Sequence, residues 1–143
     1  MSRPPDRPIA DGPHLLADTL LLTAPAAVQV GDGFEVVLVP AHHARQAVAL
    51  LDALPLDPVG AIAAVEDRWA FFVPEESHDP PWPPGTLYLA AGARLTLPPA
   101  PRAWPVAGWI RWLPTGRILT APLLLLPVLA AISDRARASS ARQ

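Results

Sequence analysis

The chain has 143 residues, a formal net charge of −2 at pH 7 and no cysteine. That composition excludes disulfides, thiolate metal ligands and a cysteine nucleophile, and it supplies no overall basic surface for duplex nucleic acid. The length is that of one domain able to bury a core without a covalent staple. At 51% hydrophobic residues the chain is too apolar for a disordered one, and every basic residue is arginine. The absence of cysteine is what a reducing, cytoplasmic compartment allows.

Residues 1–13 are polar and proline-rich, carry Asp6 and Asp11, and read as a flexible arm without the apolar stretch of a signal peptide. Residues 14–22 fit a short helix or a strand, because Leu20, Leu21 and Leu22 satisfy either period. The next stretch is clearer. Val28 and Val30 precede Gly31-Asp32-Gly33, and the β-branched run from Phe34 to Val39 follows, so 28–39 reads as a hairpin-like break leading into a buried strand. Pro40 stops that strand. Residues 41–54 place Ala44, Ala47, Val48, Leu51 and Leu54 on one helical face, and Pro55 and Pro58 end the helix.

Residues 59–65 and 69–73 are two further strands around Glu66-Asp67, a hairpin turn in which Asp tolerates left-handed geometry. A proline-rich loop, 74–85, carries Glu75, Glu76, Ser77, His78 and Asp79. Residues 86–90 and 94–97 are short strands about Ala91-Gly92, and 98–105 is a second proline-rich loop. Residues 109–113 alternate as a last strand, and Thr115-Gly116 turns the chain. Thr120 suits a helix N-cap with Pro122 in the first turn, whereas Pro127 should kink the helix or end its first segment.

The apolar run 118–132 is shorter than the about 18–20 residues that span a bilayer and contains two prolines, so it reads as a buried terminal helix. Arg135, Arg137 and Arg142 follow it and would also suit an anionic lipid surface, although cations are favourable at any helix C-terminus. The expected architecture is α+β: a mostly antiparallel sheet with two or three helices packed on one face, as a single domain over 14–133 between the arm and a flexible tail, 134–143.

The chemistry-bearing residues form no recognisable catalytic set. His42 and His43 are adjacent, so on a helix they diverge by about 100° and cannot easily face one ion. Neither an H-x-x-x-H spacing, a G-x-S-x-G elbow nor a phosphate-cradling glycine loop occurs. Ser77-His78-Asp79 has the residue types of a triad, but consecutive residues cannot form its relay. Glu66-Asp67 and Glu75-Glu76 are neighbours, and neighbours on a strand point to opposite faces, unlike the D-x-D pattern of two-metal sites. No motif implies a cofactor. The candidate contacts are the acidic loop residues Glu75, His78 and Asp79, with Trp82 and Trp104, which stand in proline-rich loops where an aromatic can rim a binding surface. Trp69, Trp109 and Trp112 read as core.

Phe34–Pro40, Trp69–Pro74, Pro83–Leu89, Ala93–Pro99, Trp109–Pro114 and Gly116–Pro122 together resemble small actinobacterial proteins similar to the N-terminal domain of bifunctional DNA primase/polymerases, over roughly residues 30–132. The resemblance implies that fold and, in active members, an acidic pair on one strand for divalent metal and a histidine on a later strand for the nucleotide. Here the strand 59–65 carries no carboxylate and the strand 69–73 no histidine, so no catalytic residue carries over. The expectation is therefore a non-catalytic intracellular binding or regulatory domain acting on a protein partner. The alternatives are a nucleotide- or DNA-handling enzyme of the primase-polymerase type and a peripheral membrane protein.

Overall fold

Strand β2 (Glu35–Pro40) is apolar on both sides of its pleat, and both sides are covered. A computed structural model of the chain describes residues 26–31, 33–79, 81–98, 108–111 and 118–141. The arm 1–13, the segment 14–22, Asp32, Trp104 with most of its loop, and residues 112–117 lie outside them, as do the last two residues of the expected tail.

The elements run β1 (Ala26–Gln29), β2, α1 (Ala41–Asp52), β3 (Ile62–Val65), β4 (Arg68–Val73), β5 (Leu87–Leu89), β6 (Arg94–Leu97), β7 (Trp109–Arg111) and α2 (Pro122–Ala141). The chain is thus α+β, with antiparallel pairing in two sheets: a five-stranded sheet in the order β5-β2-β4-β3-β7 and a two-stranded ribbon of β1 and β6.

The three layers follow from alternation along the strands. Val36, Leu38, Ala63, Ala70 and Phe72 face the ribbon, where they pack with Val30, Phe34, Leu95 and Leu97. Val37, Val39, Ile62, Phe71 and Val73 face the other way, onto Ala44, Ala47 and Leu51 of α1 and Leu125, Leu129 and Ile132 of α2. Both helices lie on this one face. Phe34, Phe71 and Phe72 are fully buried, each stabilising the fold by roughly 1.5–3 kcal/mol relative to exposure. Arg111 makes two bonds to Asp52, at 3.0 and 2.7 Å, tying β7 to the end of α1. Those bonds hold the Arg111 guanidinium above its ordinary value.

Several expectations are corrected. Residues 28–39 do not form a hairpin: β1 pairs with β6 and β2 with β4 and β5, so Gly31 and Gly33 mark a crossing between sheets. The β3–β4 hairpin is present, with Val65 opposite Arg68, but Glu66 rather than Asp67 takes the left-handed conformation, at φ 58°. Helix α1 ends at Asp52. Residues 59–61 are not strand, because the segment 118–121 intervenes. Ala61 N donates to Ile118 O (3.1 Å), Ala121 N to Pro58 O (2.9 Å) and Thr120 N to Phe72 O (2.7 Å). Thr120 is consequently not the helix cap. Its buried hydroxyl accepts from Gly60 N at 2.9 Å, while the carbonyl of Ala121 accepts the first helical bonds. Helix α2 runs through Pro127, whose ring is exposed, and continues beyond Ser133 to Ala141 where a tail was expected. Among the described residues, no helix is long and apolar enough to cross a membrane.

Gly60 is fixed by this crossing. A Cβ there would stand 2.3 Å from Ile118 O and 2.6 Å from Leu119 O, both backbone atoms that cannot swing aside. Gly60→Ala is therefore expected to cost about 3 kcal/mol by urea denaturation, the upper range for overpacking. A loss below about 0.5 kcal/mol would show that the two segments separate freely.

Candidate functional site

The first residue of β2 is a glutamate in an otherwise apolar strand, and it is buried at 5% exposure. Glu35 sits opposite Val73, so its side chain leaves the sheet on the helix-covered face beside the point where β4 passes into the loop 74–79. A buried carboxylate needs donors, and it finds three. Glu76 N donates to Oε1 at 2.9 Å, Ala91 N donates to Oε2 at 3.1 Å, and the Tyr88 hydroxyl donates to Oε1.

Tyr88 extends the network. Its hydroxyl accepts from Ser77 N at 2.9 Å. Burial, then the bond to Glu35, push the phenol well above its ordinary value, so it stays protonated, and a donor, at neutral pH. Trp82 stacks on Tyr88 with ring centres 6.3 Å apart, and its Nε1 donates to Ser77 O at 2.8 Å. Ser77 Oγ donates to Pro74 O at 2.6 Å. One carboxylate therefore fixes two turns, and one indole closes the loop over the phenol. Glu76 is held at φ 62°, a left-handed conformation that costs a non-glycine residue of the order of 1 kcal/mol and is offset by its amide bond to Glu35.

The loop so fixed forms one wall of a groove, and the first turns of α2 form the other. Glu76, Ser77 and Asp79 face Pro122, Leu123, Leu126 and Pro127 across a space of about 320 Å³. Leu123 is 84% exposed, the most exposed of the large apolar side chains among the described residues.

The predicted contact residues separate in this frame. Asp79 lines the groove, whereas Glu75 is exposed and does not. His78 is exposed, with its ring edge-on to Tyr88 at 6.1 Å. Trp82 is half-buried and bonded within its own loop, and it does not line the groove. Trp104 lies outside the described residues. Among the described residues no group of three His, Asp or Glu side chains, Glu75, His78 and Asp79 included, could hold a metal ion. Ser77 spends its hydroxyl on Pro74, so Ser77-His78-Asp79 has no relay. His42 and His43 lie on α1 with ring centres 4.3 Å apart. Burial, then the charge of His42, hold His43 below its ordinary value.

Glu35, Tyr88 and Leu123 were missed by sequence reasoning. A lone glutamate opening a run of buried valines was the available signal for the first. No family model, curated protein or solved structure matches the chain. The described site thus stands on its own geometry: a rigid, acid-rimmed apolar groove beside a carboxylate that is fully used in holding the loop.

Glu35→Ala strands two backbone amides and a phenol, and is expected to cost about 2–3 kcal/mol by urea denaturation, while Tyr88→Phe, which keeps the stack on Trp82, costs about 1 kcal/mol. Equal and negligible losses in both variants would mean that the network does not hold in solution.

Proposed function

We propose that the protein is a non-catalytic binding module that holds a segment of another protein in the groove between residues 74–79 and the start of α2. The observation that carries this reading is the groove's composition. One wall is apolar, from Pro122, Leu123, Leu126 and Pro127, and the facing loop bears Glu76 and Asp79. One exposed leucine would signify nothing, but Leu123 continues into Pro122, Leu126 and Pro127 as a contiguous apolar strip, and aliphatic anchors flanked by charge are how protein grooves take extended or helical segments. The carboxylates select the occupant. A segment pairing apolar residues with arginine or lysine places its anchors on Leu123 and Leu126 and its cations against Glu76 and Asp79, which fixes register and speeds encounter.

The loop's rigidity supports the same reading. A wall pinned by Glu35, Tyr88 and Trp82 needs little ordering when a partner arrives, so less of the interaction is lost to conformational entropy. The primase-polymerase resemblance supplies no chemistry for this groove.

The test is a peptide array in which apolar anchors are combined with arginine, lysine or glutamate, read by fluorescence polarisation against the full chain. Peptides with basic flanks are expected to bind. Leu123→Asp should weaken them at least tenfold, and Asp79→Lys, which leaves Glu76 opposed by a cation, should abolish the preference for basic flanks. No binding by any peptide, or binding indifferent to both substitutions, removes the groove as a partner site. A metal-dependent thermal shift with nucleoside triphosphates would favour the enzyme reading in its place.

A further inference from the structure

A second groove opens on the same helical layer, away from the acidic loop. It lies between α1 and the C-terminal half of α2, is open to solvent and offers a space of about 390 Å³, within the range of small-molecule sites. Its floor is the buried, apolar Ile132, flanked by the exposed Ala136 and Ala138. Its polar groups are His43 and Gln46 from α1 and Arg135 and Ser139 from α2, with no carboxylate among them.

The two helices bring these residues together by their periodicity. Ile132, Arg135, Ala136 and Ser139 fall at spacings of three and four, so they form one stripe on α2. His43 and Gln46 are three apart on α1 and present the facing stripe. The arginine is uncommitted. The neighbouring Arg137 is paired with Asp134 at 2.6 Å, whereas Arg135 has no ion-pair partner among the described residues.

We propose that this groove binds a small oxyanion, a carboxylate or a phosphate, with Arg135 as its charged fork and His43, Gln46 and Ser139 as further hydrogen-bonding groups. A guanidinium meets either anion with two parallel N–H bonds, which is the geometry that makes arginine the usual residue for both. The apolar floor favours a ligand with a short hydrocarbon body behind the charged group. The site is independent of the acidic groove, whose rim would repel the same ligand.

The test is titration of the full chain with inorganic phosphate, and separately with citrate, at low and constant ionic strength with chloride as the reference anion. Chemical shifts of the His43 imidazole report occupancy. His42 on the same helix and Arg135 across the groove are the charged groups that share its surroundings, and an anion bound between His43 and Arg135 raises the pH at which the imidazole titrates. Saturable binding of either anion is expected, weakened at least about tenfold by Arg135→Ala and unaffected by Arg137→Ala. Phosphate alone binding, or citrate alone, distinguishes the two ligand classes within the same site. Absence of saturable binding by both, or binding that survives Arg135→Ala, overturns the assignment. Arg135 is exposed, so its loss leaves the fold intact as the thermal midpoint will show.

Discussion

The carboxylate of Glu35 is the constraint on which the functional end of the molecule depends. An ionisable group taken out of water is strongly destabilising unless its acceptors are filled. Here the filling donors are the backbone amides of two separate turns and a phenol on the neighbouring strand. The cost of burying the carboxylate is thereby turned into specificity: the chain is lowest in free energy only when 74–77 and 90–91 are both folded onto the end of β2. Trp82 then needs no ligand to be ordered, because Ser77 O and the Tyr88 ring already hold it.

A second constraint positions the opposite wall. Residues 118–121 run between β4 and the chain at 58–61, and their backbone bonds to Phe72, Pro58 and Ala61 leave room only for glycine at position 60. This crossing sets where α2 begins, and so where Leu123 and Leu126 stand relative to the acidic loop. The same helix, carried on past Ser133, brings Arg135 and Ser139 alongside α1. Two grooves of opposite character thus share one helix, the acidic one at its start and the cationic one toward its end.

The order of strands and helices was legible in the sequence, because it rests on local signals: β-branched runs, the periodicity of Ala44, Ala47 and Leu51, and turn residues at Glu66-Asp67. Pairing was not. Val28 and Val36 are close in sequence and belong to different sheets, and only long-range contacts with Leu95 and Phe72 decide this. Thr120 looked like a cap because its hydroxyl suits one, yet Gly60 N claims it across the fold. Pro127 was expected to kink the helix or end its first segment; the helix does not end there, and the exposed ring stands in solvent while Leu125 and Leu129 on either side stay buried. Of the candidate site, the acidic loop was visible, and Asp79 belongs to the groove. Trp82 was singled out for its composition and setting, but its bonds turn inward. Glu35 gave only a weak signal, one polar letter in an apolar strand, because the donors that explain it come from residues far along the chain.

Amide hydrogen exchange on the full chain tests the Glu35 anchor most directly. Glu76, Ser77 and Ala91 lie in surface turns, where amides usually exchange at nearly the rate of an unfolded peptide. If Glu35 and Tyr88 hold them as described, all three are expected to exchange at least about a hundredfold more slowly than that rate and to lose their protection together. Exchange of these three at the unprotected rate, with the β2 and β4 amides still protected, would show that the carboxylate does not organise the loops and that the groove is not formed before a partner arrives.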